Sequence, residues 1–481
     1  MPKRIAVVGG GVAGLATAYE ILELARARGE PPEVVCLEAE AAPGGNVRTD
    51  LADGFLLEWG PNGFLDNVPA TLELVRRLGI SERLLPASPA AEARFIFRGG
   101  RLRKLPAGPA SFLASDVLSL KGRLRVLCEP FGPGPPRDPA GGEADESVLD
   151  FATRRIGREA ARVLVAAMVT GVYAGDASRL SLRAAFPKMA RMEREFGTLT
   201  RALFAKRRAA RREGRKAGGP AGPGGRLTSF GAGFEELVRA LAAEIGPCLR
   251  LRSKATAISR TPGGRYRIEF SISDRSEGPS AEEIEADAVV LACPSWAAAE
   301  IARPLDAELG RLLGEIPSAP LAVVHLGFEA SEIGGEPRGF GFLVPPGEAL
   351  RILGTIWASS IFPGRAPPGR VLLTTMVGGA RDPKAAGLED AALLEIVRRD
   401  LRAAMGIGAP PRFARIYRHP RGIPQYEIGH PARLEAIERR LAELPGIFVA
   451  GNSYRGISVN SCVDEAPRIA REALAALEAR R

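Results

Sequence analysis

The opening of the chain, Arg4-Ile-Ala-Val-Val-Gly-Gly-Gly-Val-Ala-Gly14, constrains everything that follows it. Ile5 to Val8 is a short apolar run rich in β-branched side chains, the pattern of a strand buried on both faces of a parallel sheet. Gly9, Gly11 and Gly14 follow in G-x-G-x-x-G spacing, and helical apolar spacing continues from Leu15 to Ala27. Gly9 permits a tight turn, Gly11 lets backbone approach a pyrophosphate, and Gly14 lets helix and strand pack closely. The helix start offers unpaired N–H groups to phosphate oxygens, so Gly9, Gly10, Gly11, Val12, Ala13 and Gly14 are candidate cofactor contacts. A second strand, Val34 to Leu37, ends in Glu38. That carboxylate lies roughly 20 residues or slightly more past the glycines, where it takes the ribose hydroxyls of an adenine dinucleotide. The class is α/β.

With 481 residues the chain is too long for one ordinary core, and two or three domains are expected. The net charge of +10 favours acidic partners such as a carboxylate-bearing substrate or anionic lipid. The N-terminus enters a strand directly, so no signal peptide is visible. The longest apolar run, Val163 to Gly175, is shorter than the ~20 residues of a spanning helix. A cytoplasmic location is expected, with any membrane contact peripheral. The five cysteines are scattered without a C-x-x-C pair, which reads as reduced, mostly buried thiols. The three histidines assemble no metal cluster, so no metal is expected.

After Glu38 and Ala39 comes Gly44-Gly-Asn-Val-Arg-Thr49. Its glycines permit a second close approach, and Arg48 supplies a fixed cation. Phe55 to Asn62 reads as a strand running into a turn through Trp59, Gly60 and Pro61. A short helix over 71–79 turns Leu72, Val75 and Leu78 inward. Arg94 to Leu102 is a hairpin with a Gly-Gly turn. From Leu105 to about Gly197 the pattern is helical, interrupted by a Pro/Gly-rich loop at 131–142 and by a glycine-bounded break at Gly171-Val-Tyr-Ala-Gly175. Arg201 to Lys216 is strongly basic and runs into a Gly/Pro-rich tail. A solvated helix is the favoured reading there, ahead of a lipid-binding surface, and sparse aromatics argue against nucleic acid. A helix to about Ile245 follows, then strands over 249–252, 266–271 and 285–293. Strands at 322–328, 341–344, 352–356 and 371–377 suggest an inserted antiparallel sheet. A last strand reaches Asn452, and a final helix begins near Asp464.

The order acid, Gly-Gly, arginine resembles the superfamily of flavin-dependent amine oxidases and protoporphyrinogen oxidases. Further segments resemble the protoporphyrinogen oxidases and their coproporphyrinogen-oxidising relatives in particular. They are Arg94 to Gly100, Thr170 to Asp176, Leu180 to Pro187, Gly339 to Pro345, Ser359 to Arg365, Ile423 to Tyr426 with Gly429-His430, and Gly451 to Asn460 with Cys462. They fall in order along the whole chain.

The resemblance implies an amine-oxidase-type FAD-binding Rossmann-like domain from 1–90, 226–300 and 414–481, with a helical domain at 91–225 and an inserted α+β substrate domain at 301–413. It implies oxidation of protoporphyrinogen IX to protoporphyrin IX in haem biosynthesis, with O2 as acceptor and H2O2 as product. Coproporphyrinogen III oxidation, another flavin amine oxidase, and a non-enzymatic dissociation-inhibitor-like binding protein stand as alternatives. FAD contacts carried over from the family are Gly45, Asn46, Asn62, Ala255, Asn452, Ile457, Ser458 and Val459, beside the glycine loop, Glu38, Ala39, Arg48, Trp59, Gly60 and Pro61. Arg94 stands at the propionate-binding position. Phe340, Gly341, Leu343 and Met376 fall on pocket walls, and Gly171 falls where a backbone carbonyl faces pyrrole N–H groups. An anionic membrane surface and a second copy of the chain are partners left open. No catalytic acid or base is assigned. His419 stands before Pro420 where the family often has Trp, and Ser461 to Glu465 lacks a glycine often found after an acid. His325 and His430 read as structural.

Overall fold

A computed structural model describes residues 3–29, 31–136, 144–212, 225–274 and 278–479. Strand Arg4–Val8 forms the middle of a five-stranded parallel sheet. Glu33–Leu37 and then Leu249–Arg250 lie to one side of it, Ala288–Leu291 and then Ile447–Val449 to the other. Ile5 and Val7 face a core built with helices Val12–Arg28, Glu236–Ile245 and Val459–Glu478. Ala6 and Val8 face a second core beneath a three-stranded sheet of Ser253–Arg260, Tyr266–Asp274 and Gly278–Ala286. Covering both faces is what a continuous apolar strand requires.

A seven-stranded sheet forms the second layer. Its order is Phe413–Pro424, Ser318–Glu329, Arg370–Gly378, Ile352–Trp357, Gly341–Leu343, Arg94–Arg98, Arg101–Lys104. It is antiparallel except where Gly341–Leu343 runs parallel to Arg94–Arg98. The hairpin at 94–104 and the strand at 413–424 therefore join the strands expected at 322–377. Local turns set the direction of neighbours within a hairpin. They do not set that of an edge met by a strand from far along the chain. One sheet face packs on helix Asp390–Met405.

Helices fill most of the span between 109 and 212. The expected glycine break at 171–175 is corrected: the helical run at 158–173, with a wide π-type turn at Ala161–Val165, continues through Gly171 to Tyr173. The left-handed residue that ends it is Ala174 (φ 46°), not a glycine. The final helix starts at Val459, earlier than Asp464, because Ser458 caps it. In helix Pro69–Arg77 the buried apolar residues are Leu74 and Val75, while Leu72 and Leu78 are only partly buried. The five thiols are free: Cys36 is buried, Cys248, Cys293 and Cys462 are half-buried and Cys128 is exposed, so the expectation of mostly buried cysteines holds only in part. Residues 137–143 of the Pro/Gly-rich loop and 213–224 of the basic stretch and its tail lie outside the described residues. Among the described residues no helix is long and apolar enough to cross a membrane.

Candidate active site

The glycine loop closes on itself through backbone contacts that no side chain permits. A Cβ on Gly14 would lie 1.8 Å from the Gly9 carbonyl oxygen, which is how the helix comes flush with the strand. Gly9 holds φ +114°. The Gly10 N–H donates to Glu38 Oε2 (2.6 Å) and the Glu40 N–H donates to Glu38 Oε1 (2.8 Å). A carboxylate offers about four acceptor sites, so Glu38 keeps lone pairs for a further donor. The Gly44 N–H donates to the Gly10 carbonyl (2.8 Å), which lays Gly44 and Gly45 beside Gly11. At Gly11 a Cβ would meet nothing within 4 Å. The loop thus leaves an open hollow at the positive end of a helix.

A second helix begins at the same carboxyl edge of the sheet, where ligands of such sheets bind. The Gly451 turn passes 3.5 Å from the Ala13 methyl, measured from an ideal Cβ, and the chain runs on through Asn452 and Ile457 to the Ser458 cap and Val459. The Asn452 carbonyl accepts from Tyr426 Oη (2.5 Å), and Ile457 packs partly against that tyrosine's cluster. Ala255 lies two residues past Ser253, whose N–H donates to the Glu38 carbonyl (2.7 Å). Arg48 Nη2 donates to the Ala42 carbonyl (2.9 Å), while its Nε is buried without a partner among the described residues. The Arg48 guanidinium lies 5.0 Å from the Trp59 ring centre. Gly60 lies against the Asn46 carbonyl (3.2 Å from an ideal Cβ), and Pro61 and Asn62 continue that turn, half-buried. Ala39, Gly45 and Asn46 are exposed.

These groups fit an adenine dinucleotide that carries a flavin. There is a side-chain-free anion cradle, a carboxylate at the end of the second strand, two helix N-termini, and a buried guanidinium nitrogen without an acceptor among the described residues.

Beyond Trp59 lies an apolar face. Trp59 stacks on Tyr417 (4.9 Å, 23°). The sheet register sets Tyr417, Val323, Met376, Gly354, Leu343 and Ile96 side by side on one face. At Gly354 the row closes up, since a Cβ there would come within 2.5 Å of the Phe342 carbonyl oxygen and 3.1 Å of Leu343 Cδ2. Gly171 sits on Leu343, where a Cβ would come within 2.7 Å of Leu343 Cδ2. On the same helix Met168 and Val172 stay exposed, at 39% and 47%. Gly341 holds φ +132°, and a Cβ there would strike the Thr355 carbonyl at 2.0 Å. At the rim the Arg94 guanidinium lies 5.3 Å from the Phe340 ring, and Arg94 forms no ion pair among the described residues.

The structure therefore brings Arg94, Phe340 and Gly341 into one cluster, Leu343 and Gly171 into contact, and Met376 into the same row one strand past Gly354. Sequence reasoning missed Tyr417, Gly354, Met168 and Val172. Met168 and Val172 share a helix face by their spacing of four, a readable signal. Gly354 carried none, because only the sheet register shows that the Phe342 carbonyl and Leu343 of the neighbouring strand close over it.

Burial lowers His325 to about 4, so its imidazole is neutral near pH 7. Burial pushes the Cys293 and Cys462 thiols up to about 12, so neither is a thiolate at neutral pH.

The profile of the flavin containing amine oxidoreductases matches residues 12–474. The chain belongs to this family. It is a flavoprotein oxidoreductase, as expected from the opening motif and the arginine that follows it. Among its relatives, the chloroplastic protoporphyrinogen oxidase of Oryza sativa subsp. japonica is 34% identical over 478 residues, 96% of this chain and 86% of the relative. The coproporphyrinogen III oxidase of Bacillus subtilis (strain 168) is 28% identical over 490 residues, 98% of each. A crystal structure from Exiguobacterium sp. 255-15, provisionally named a protoporphyrinogen oxidase, aligns with TM-score 0.80 at 26% identity, covering 99% of both chains.

Proposed function

We propose that this oxidoreductase converts a porphyrinogen to the corresponding porphyrin in haem biosynthesis, with protoporphyrinogen IX as substrate and coproporphyrinogen III as the close alternative. O2 is the acceptor and H2O2 the product. The observation that carries the reading is the apolar row of Leu343 and Met376 with Arg94 beside it, paired with Gly341, set against Phe340 and forming no ion pair among the described residues. A flat macrocycle with carboxylates on its rim needs apolar walls and a cation at one edge. A charge-assisted bond from Arg94 to a propionate contributes about 1.5–3 kcal/mol. FAD, when bound, accepts the electrons taken from the macrocycle. Segments 1–90, 226–300 and 425–481 hold it in this reading, and 301–424 with the 94–104 hairpin forms the substrate face. The Gly171 carbonyl lies in the last turn of its helix, where the helix supplies no donor, and it accepts from a pyrrole N–H. Met168 and Val172 flank it and keep water from the ring.

The test is porphyrin fluorescence from each porphyrinogen, side by side, with purified FAD-loaded protein under air. Preference for the first places the enzyme at the end of the pathway. Preference for the second assigns it to coproporphyrin formation. Silence on both, in a yellow protein, returns the amine oxidases to the front, and a colourless protein favours the binding-protein alternative.

A peripheral membrane contact has its own support. Leu120, Leu124 and Leu127 share one helix face and are exposed, with Leu113 and Phe131 exposed on adjoining segments. Lys121 and Arg123 flank them. Such a surface suits an anionic bilayer. Vesicle flotation with and without anionic lipid separates this from burial of the same leucines in a homodimer, which a concentration-independent monomer mass excludes.

A further inference from the structure

All three histidines of the chain aim Nε2 at a backbone carbonyl: His325 at Glu58 (3.0 Å), His419 at Trp59 (2.8 Å) and His430 at Tyr454 (3.0 Å). The first two carbonyls belong to consecutive residues. Glu58 is the last residue of its hairpin strand, paired with Thr49, so the chain past it has left the ladder. His325 and His419 reach it from two paired strands, and Tyr417 projects from the same face between them. That tyrosine stacks on the Trp59 indole and meets the His325 ring edge-on at 5.6 Å. Trp59 is also tied at its N–H, which donates to the Arg48 carbonyl (3.0 Å).

The chemistry of the imidazoles follows from this geometry. A carbonyl only accepts, so Nε2 of each histidine carries the proton. Nδ1 of a neutral His325 then accepts from Thr374 Oγ1 (3.0 Å), which locks its tautomer and ring plane. A histidine before Pro420 thus holds, by its main chain, a tryptophan in the turn past another strand.

We propose that His325 and His419 are positioning residues that clamp the Glu58–Trp59 peptide and thereby hold the Trp59 indole as a wall of the flavin site. The inference rests on the flavin reading of Trp59 and is independent of which substrate is oxidised.

The test replaces the donor while keeping the bulk. Glutamine sets an amide N–H near the position of Nε2, and leucine fills similar space without a donor. FAD affinity is measured by titrating the apoprotein, and the flavin environment by absorption envelope and fluorescence. His419→Leu is expected to raise the FAD dissociation constant about fivefold to tenfold, as loss of one such bond does, and to relieve flavin quenching by the indole. His419→Gln is expected to restore both. Trp59→Phe alone is expected to weaken quenching, and His419→Leu added to it is expected to change neither reading further. If His419→Leu lowers only the melting temperature, or acts equally in the Trp59→Phe background, the clamp is overturned. Should that variant not fold, His419→Asn, whose amide falls short of the carbonyl, takes its place, with the same outcomes. An unaltered flavin in Trp59→Phe shows that the indole is no flavin wall and also overturns the inference, while porphyrinogen turnover in the same protein is judged separately.

Discussion

Replacing Arg365 by methionine removes one half of an ion pair sealed from water. Arg365 is 2% exposed and Glu58 is 6%. Arg365 Nη2 lies 3.1 Å from Glu58 Oε1 and donates to Ser229 Oγ at 3.0 Å and the Phe230 carbonyl at 3.3 Å. Glu58 accepts in addition from the Phe234 N–H (2.9 Å) and Thr49 Oγ1 (2.7 Å). Methionine leaves the carboxylate those two donors and no countercharge. Losing one partner of a buried pair costs about 3–5 kcal/mol. The loss carries a pH signature. Burial pushes the Glu58 carboxyl upward, and Arg365 opposes that push. Without the arginine the push is unopposed, and the folded state holds a proton that the unfolded state has released. A group whose folded pKa is raised contributes stability at low pH that disappears as pH rises through the folded value. The deficit of Arg365→Met against wild type should therefore be small near pH 5 and full near pH 8. Urea unfolding followed by tryptophan fluorescence at pH 5, 6.5 and 8 measures it, with each difference taken at one pH so that other titrations cancel. Glu58→Gln is the control. Its amide still accepts from Phe234 but leaves Arg365 unpaired, with Nη1 already lacking a partner among the described residues, so its loss should not fade at low pH. A deficit below about 1 kcal/mol at pH 8, or one that ignores pH, refutes the buried-pair argument.

Gly11→Val should leave the urea midpoint near wild type, because that residue is extended and a Cβ there meets nothing, yet the purified protein should lose its FAD; yellow protein refutes the cradle. Gly14→Val should fail to accumulate as folded protein, since even a Cβ falls 1.8 Å from the Gly9 oxygen. Arg94→Ala should raise KM for the porphyrinogen about 10- to 150-fold, the equivalent of 1.5–3 kcal/mol, with the urea midpoint unchanged because the side chain is exposed; an unchanged KM removes Arg94 from the site. His325 and His430 are each lowered by burial to about 4, below the unfolded value, so their stability is present above about pH 6.5 and is lost as pH falls toward 4, on the order of 3 kcal/mol apiece. A flat urea midpoint over that window in the wild-type protein counts against them.

The dinucleotide edge was legible because its instructions are local. Strand, glycine spacing and helix start lie within Arg4 to Arg28, and Gly9 and Gly14 are required by contacts only a few residues or one strand away. The carboxylate at Glu38 follows from the same unit. The identity of the family was legible too, through short segments spread in order along the chain. What composition and periodicity left open was how distant segments meet. Nothing in Arg94–Arg98 announces a parallel neighbour at Gly341–Leu343, since strand pairing is decided by which edge is free when the sheet assembles. The glycine pair at 171 and 175 looked like a helix break, but packing on Leu343 explains the first glycine while the helix runs through it. His419 read only as a departure from a family tryptophan. Its task became visible when Tyr417 and His325 from two strands met Trp59 in the turn past a third. The amino-acid sequence by itself determined the nucleotide-binding unit and the family, because backbone sterics and apolar period act over a few residues. Only the tertiary structure decided the apolar face, the buried Glu58–Arg365 pair and the grip on Trp59. Those depend on side chains that are distant in sequence and adjacent in space.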